Sequence, residues 1–223
     1  MDTKIIVANC KSNKTAAEAV DFFTYFSEGL HNISTEHTEI VICPSFSLLP
    51  SCAEYIAKHN LPLYLGAQNI SEFGKGAYTG EVAGFQIKEY AEYVIIGHSE
   101  RRRYLNETKE RIENKLREAK QAGLTPILCI QDENDFIQKD VAIIAYEPPS
   151  AISTFGVGKP DNPENVARVI SMLRQKTTAR LLYGGSVDNQ NVNSYTNIEH
   201  LAGFLVGGAS LDPHSFLKLL SQC

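Results

Sequence analysis

The sequence predicts an α/β protein built as a closed (β/α)8 barrel, and three observations carry that reading. Eight short apolar segments recur along the 223 residues. Most of the stretches between them place apolar residues three and four apart, the period of a helix with one buried face. Polar, chemistry-bearing residues follow several of the segments directly, as in Gly97-His98-Ser99-Glu100-Arg101-Arg102 after Tyr93-Val94-Ile95-Ile96. Alternating strands and helices imply a parallel sheet, because right-handed crossovers return each helix onto the strands it joins. Eight such units can close, and 223 residues lie at the compact end for barrels, which start at roughly 200. A doubly wound open sheet is the structural alternative, but no strand is followed by the Gly-x-Gly-x-x-Gly turn of a dinucleotide fold.

The first strand is read at 4–9, around Ile5-Ile6-Val7, and ends in Asn9-Cys10-Lys11. A helix with Ala19, Val20, Phe23 and Leu30 on one face follows, then strands at 39–43 and 62–67. The glycine-rich stretch 68–80 shows no helical period, and loops of that length usually bind something. The fourth strand, 93–97, is closed by a glycine and followed by His98 and Glu100; Ser99 before charged residues is also an ordinary helix-start signal. Ile112, Leu116 and Ala119 mark the next helix, whose run 109–117 reads as a solvated face with Glu113 and Arg117 spaced for an i,i+4 pair. In the fifth strand, 125–130, Cys129 reads as a small buried residue. Only 131–140 separates it from the sixth, 141–147, close to the shortest crossover that holds a helix, about 10 to 12 residues. This shortened connection predicts one helical turn at most, and leaves apolar barrel surface for a neighbouring subunit to cover. The sixth strand runs into Tyr146-Glu147-Pro148. Val166, Val169, Ile170 and Leu173 form a helical face, the seventh strand, 180–183, ends in Gly184-Gly185-Ser186, and the eighth, 203–206, in Gly207-Gly208.

With 43% hydrophobic and 21% charged residues, the composition is that of a soluble globular chain, and one domain over 1–223 suffices. No segment approaches the roughly 20 apolar residues that span a bilayer, and Met1-Asp2-Thr3-Lys4 runs straight into a strand, so the expectation is a cytoplasmic protein without a targeting segment. The five cysteines are odd in number and scattered, which suggests neither a disulfide framework nor a zinc ribbon. A net charge of -5 argues against nucleic acid and anionic membranes as partners, while leaving room for a small anion in a local pocket. The histidines show no paired ligand spacing, so no metal site is expected.

In a closed barrel the carboxyl ends of all strands meet on one face. Asn9, Lys11, His98, Glu100, Glu147 and two glycine turns would therefore share one mouth. Glycine turns that open helices suit phosphate, since a side chain there would block approach to the backbone N–H groups.

Seven motifs follow one another along the chain: Ala8-Asn9-Cys10-Lys11, Gly66-Ala67-Gln68-Asn69, Gly76-Ala77-Tyr78-Thr79-Gly80-Glu81, Gly97-His98-Ser99-Glu100-Arg101-Arg102, Ala145-Tyr146-Glu147-Pro148, Tyr183-Gly184-Gly185-Ser186-Val187 and Gly203-Phe204-Leu205-Val206-Gly207-Gly208-Ala209-Ser210-Leu211. In this order they make the chain resemble the triosephosphate isomerase family over its whole length. The resemblance implies a TIM barrel that interconverts dihydroxyacetone phosphate and D-glyceraldehyde 3-phosphate through an enediol, in glycolysis and gluconeogenesis, without metal or organic cofactor. It implies Glu147 as the base and His98 as the electrophile, a pairing of glutamate with neutral histidine known for this family. Lys11 and Asn9 would face the substrate oxygens, with Glu100 an accessory carboxylate. Ser153, Ser186, Gly207 and Gly208 would join Asn9 and Lys11 around the phosphate. Pro148-Pro149-Ser150-Ala151-Ile152-Ser153-Thr154-Phe155-Gly156 would form the closing lid, departing from the family pattern at Ser153, where glycine is usual, and at Phe155. The resemblance also implies a dimer at least, with Gln68, Thr79, Glu81 and Arg101 at the subunit interface, and the shortened connection fits a tetramer. Cys10 replaces a bulkier residue and is expected as a partly exposed thiol there. Two other functions stand beside this one: a barrel enzyme on another phosphosugar, which would need a Schiff-base lysine or metal ligands at strand ends, and a silent phosphate-binding barrel.

Overall fold

The structure, a computed structural model, describes residues 3–152 and 159–223. Its strands are β1 (Lys4–Asn9), β2 (Thr38–Cys43), β3 (Tyr64–Ala67), β4 (Tyr93–Ile96), β5 (Thr125–Ile130), β6 (Ile143–Tyr146), β7 (Arg180–Tyr183) and β8 (Leu201–Val206). All neighbours pair in parallel, in sequence order, and β8 returns to β1 to close the barrel. The eight expected strands are all present, with ends that differ by no more than two residues. Closure needs Gly203: its φ is 148°, and a Cβ there would lie 1.9 Å from the carbonyl oxygen of Ile5. Only glycine lets β8 come that close to β1.

Both faces of the strands are buried, which is why they read as continuous apolar runs rather than alternating ones. Ile5, Val7, Val41, Ile95, Ile127, Cys129, Leu182 and Leu205 fill the barrel interior, while Ile6, Ala8, Ile40, Ile42, Ile96 and Leu128 face the helices. Those helices are α1 (Ala16–Leu30), α2 (Leu49–His59), α3 (Gly84–Lys88), α4 (Ser99–Leu105), α5 (Lys109–Gln121), α6 (Pro163–Arg174) and α7 (Pro213–Leu220). A capping box between Thr15 and Glu18 starts α1, which buries Ala19, Phe22, Phe23, Phe26 and Leu30. Val20, expected on that face, is half exposed, because Phe22 and Phe26 hold it instead.

The reading of 109–117 as a solvated face is corrected at Lys115, which lies on the apolar side of α5 with Ile112, Leu116 and Ala119 and is fully buried. Its ammonium is paired with the buried carboxylate of Glu107 and donates to Asn69 Oδ1 at 2.7 Å, the kind of pairing a buried charge requires. The expected Glu113 and Arg117 pair does not form; Glu113 lies 3.8 Å from Lys109, and Arg117 donates to Asn114. No helix bridges β5 and β6, as the short spacing predicted. Phe136 and Ile137 of that connection pack on the outer core, and so cover part of the surface expected to be bare. The β7–β8 connection is abbreviated as well, carrying one 3-10 turn, Val192–Ser194. Among the described residues no helix is long and apolar enough to cross a membrane.

Candidate active site

The carboxyl ends of β1, β4, β6, β7 and β8 ring a cavity of about 320 Å³, lined by Asn9, Lys11, His98, Glu147, Gly184, Gly185, Ser186, Gly207 and Gly208. Barrel closure thus gathers groups from nearly the whole length of the chain. His98 does two jobs, since Gly97, at φ 75°, turns the chain out of β4 and His98 then caps the N-terminus of α4. The two readings of this stretch, strand end and helix start, are both correct.

His98 and Glu147 are buried against each other, 6% and 1% exposed, with Nε2 3.0 Å from Oε1. The second oxygen of Glu147 accepts the Ser99 backbone N–H at 2.8 Å. His98 Nδ1 accepts the Glu100 N–H at 3.2 Å, so its lone pair is in use and the hydrogen sits on Nε2, facing Glu147. Burial disfavours the imidazolium, but Glu147 and then Glu100 outweigh it and raise the His98 pKa. The Glu100 amide on Nδ1 favours the neutral ring. Burial likewise pushes the Glu147 carboxyl up, and His98 and the Ser99 amide bring it below the usual range. Glu147 is therefore held ionised, with one oxygen beside His98 Nε2–H and the other on the Ser99 amide. Gly184 makes room for it: a Cβ at that position would lie 2.9 Å from Glu147 Cγ.

Lys11 reaches into the mouth from an unusual backbone, with φ 51°, a left-handed conformation that costs a non-glycine residue about 1–3 kcal/mol. Asn9 Oδ1 accepts its N–H at 3.1 Å and Gln68 Nε2 donates to its carbonyl at 2.9 Å, which together hold the conformation. Its ammonium lies 2.6 Å from Glu100 Oε1. Gly208 is open, with nothing near the position a Cβ would take, and it begins a 3-10 turn, Gly208–Ser210. The Ser186 hydroxyl donates to Ala151 O at 2.8 Å, so it faces the cavity wall formed by the 3-10 turn Pro149–Ala151. Pro148, Pro149, Ser150, Ala151 and Ile152 are in place at the rim; Ser153, Thr154, Phe155 and Gly156 lie outside the described residues.

Of the expected interface residues, Thr79 and Glu81 are exposed, Gln68 is tied to the Lys11 loop, and Arg101 Nε pairs within the chain with Glu107 at 3.0 Å. Cys10 is corrected: it is 3% exposed and packs outward into the layer between barrel and helices, because Asn9 takes the position toward the mouth. Burial pushes its thiol up to about 11. The sequence reading missed the Ser99 amide as the Glu147 partner, the close approach at Gly184, and Asn191, whose Nδ2 donates to Ser186 O at 3.0 Å. The helix-start signal at Ser99 could have pointed to the first; the second depends on β6 pairing with β7, and the third on how the β7–β8 connection folds back on itself.

Comparison with known proteins agrees with this geometry. The family model described as triosephosphate isomerase matches residues 4–223. The chain is 38% identical to a triosephosphate isomerase of Trichodesmium erythraeum over 99% of each chain. It is also 38% identical to one of a Picosynechococcus strain over 98% of each, and 35% identical to one of Mesomycoplasma hyopneumoniae over 97% of this chain and 98% of that one. A crystal structure of triosephosphate isomerase from Bartonella henselae superposes with a TM-score of 0.80 at 29% identity, covering 97% of each chain.

Proposed function

Because the chain belongs to the triosephosphate isomerase family, we propose that the cavity is where it interconverts dihydroxyacetone phosphate and D-glyceraldehyde 3-phosphate, with Glu147 as the base. The observation that carries this reading is the Glu147 and His98 pair: an ionised carboxylate beside an imidazole whose N–H faces the same cavity. Glu147 leaves its parked contacts, takes the carbon-bound proton next to the carbonyl, and returns it to the adjacent carbon. His98 gives its Nε2 proton to the carbonyl oxygen as charge develops there and regains one from the hydroxyl on the adjacent carbon, so that carbonyl and hydroxyl change places, with Lys11 and Asn9 stabilising the same oxygens. Glu100 orients Lys11 through their 2.6 Å contact. The backbone N–H groups at Gly207 and Gly208, with Ser186 and Ser153, hold the phosphate, and 148–156 serve as the lid that keeps water from the enediol.

The test is turnover of glyceraldehyde 3-phosphate in a coupled assay, run beside Glu147→Gln prepared identically so that host isomerase shows in both. The variant is expected to lose several orders of magnitude in kcat while retaining phosphate binding; near-normal turnover removes Glu147 from the base role. We take 1–223 as one catalytic domain, cytoplasmic, acting as a dimer at least. The exposed Phe73 and Tyr78 rings, stacked at 4.3 Å on the 68–80 loop, support a second copy as partner. So does a cavity of about 400 Å³ bordered by Lys11, Gln68, Glu100, Arg101, Tyr104 and Leu105. The abbreviated β5–β6 connection supports a tetramer. Light scattering that gives a fully active monomer would remove both.

A further inference from the structure

Tyr183 and Tyr195 are among the largest side chains buried completely, and both hydroxyls close on one residue. Tyr195 Oη donates to the Asp161 carbonyl at 2.6 Å, and Tyr183 Oη accepts the Asp161 N–H at 2.9 Å. The rings lie 4.9 Å apart, centroid to centroid. Burial pushes both phenols above their ordinary pKa, so each remains a neutral hydroxyl. Asp161 is fixed from the other side too, since its carboxylate accepts from Asn162 N at 2.9 Å and Asn165 Nδ2 at 2.6 Å at the start of α6.

This arrangement bears on the turn after β7. A Cβ on Gly185 would lie 2.1 Å from Tyr183 Oη, so the turn 184–186 rests directly on that oxygen. Tyr195 itself belongs to the abbreviated β7–β8 connection, just after its 3-10 turn, and the same connection sends Asn191 to Ser186 O. Packing alone does not call for a tyrosine here. A phenol that is 2% exposed costs stability unless its hydroxyl is satisfied, and an aliphatic or phenyl group would fill the space without that demand. The partner that satisfies it is Asp161, which is also the donor to Tyr183.

We propose that Tyr195 is a positioning residue for the turn 184–186: by holding Asp161 it fixes the Tyr183 oxygen on which Gly185 sits, and so sets where Ser186 meets an anion. The proposal rests on the reading that this turn borders the phosphate. Its prediction falls first on the phosphate end of the cavity, because Gly185 and Ser186 rest on Tyr183 whereas Glu147 and His98, though Gly184 borders Glu147, are also held by Ser99 and Glu100.

Tyr195→Phe removes the hydroxyl and little else. With inorganic phosphate as the probe, calorimetry is expected to show affinity weakened roughly three- to tenfold, the equivalent of one hydrogen bond. KM for glyceraldehyde 3-phosphate should rise by the same factor, with a smaller change in kcat. Unchanged phosphate affinity with only a lower unfolding temperature would overturn the proposal and leave a merely structural tyrosine. Absence of turnover in the unsubstituted protein would refute the isomerase reading, yet the ratio of phosphate affinities would still decide the role of Tyr195. Should the variant not fold, amide exchange in the unsubstituted protein decides. The Asp161 N–H should exchange at least about a hundredfold more slowly than that of exposed Lys159, and equal rates would overturn the proposal.

Discussion

Gly184→Ala tests whether the position of Glu147 sets the rate. A Cβ at 184 would meet Glu147 Cγ at 2.9 Å, Tyr146 O at 3.4 Å and Glu147 Oε1 at 3.6 Å. The Tyr146 carbonyl is barrel backbone, accepting the Gly184 N–H at 2.8 Å, so it cannot move; the glutamate must. Relief to ordinary contact takes a shift of about 0.5 Å, toward optimal carbon separations of about 3.5 Å. Glu147 is 1% exposed and held at both oxygens, so the shift strains the contacts with His98 and Ser99. A misplacement of about 1 Å can cost about a hundredfold in rate, so half of that predicts a fall in kcat of roughly tenfold. Overpacking costs about 1–3 kcal/mol, or about 2–12 °C in Tm for a chain of this size. The assay is steady-state turnover of glyceraldehyde 3-phosphate beside thermal unfolding of the same samples. A variant with kcat within twofold of the parent and an unaltered Tm would refute the link between this glycine and the base.

Gly208→Ala is the complementary case, because nothing lies within 4 Å of its would-be Cβ. Thermal stability should hold while phosphate affinity falls at least about tenfold as the methyl blocks the backbone N–H groups; unaltered phosphate binding by calorimetry would take Gly208 out of the site. Glu107→Gln should destabilise by about 3–5 kcal/mol in chemical denaturation, since it strands the buried Lys115, and a loss under 1 kcal/mol would contradict that pairing. Burial pushes the Glu107 carboxyl up, but Lys115 and then Arg101 bring it below 4.5. Its stabilisation is therefore complete above that value and lost as pH falls through the folded pKa, and the acid limb should be steeper in the parent than in Glu107→Gln. Burial also raises the thiols of Cys10, Cys43, Cys52 and Cys129. A thiol reagent at pH 8 should therefore modify at most the half-buried Cys223 quickly, against five thiols after unfolding; two or more fast thiols in the native protein would refute that burial.

The strands and most helices were legible because hydrophobic periodicity is a local property, written into consecutive residues. His98, Glu147 and Lys11 were legible for a related reason: each lies just past an apolar run, and a parallel barrel turns the residues at its strands' carboxyl ends toward one open mouth. Val20 and Lys115 were misread because a helix face is chosen by the groups that pack against it. Phe22 and Phe26 displaced the first, and Glu107 gave the second a buried partner. Cys10 was misread because one residue's shift along a strand exchanges mouth for outer layer.

By itself, then, the amino-acid sequence determined the repeated strand and helix units, the residue types at the strand ends and a β5–β6 connection with room for one helical turn at most. Tertiary structure alone decided which groups touch. Glu147 on Ser99, Gly184 against Glu147, Gly203 against Ile5, and Tyr195 with Tyr183 on Asp161 are contacts between segments far apart in the chain. Gly203 reaches Ile5 only when the eighth strand pairs with the first, and the others form where β4, β6, β7 and the loops beyond them pack side by side, so each depends on the register of the barrel rather than on any one segment.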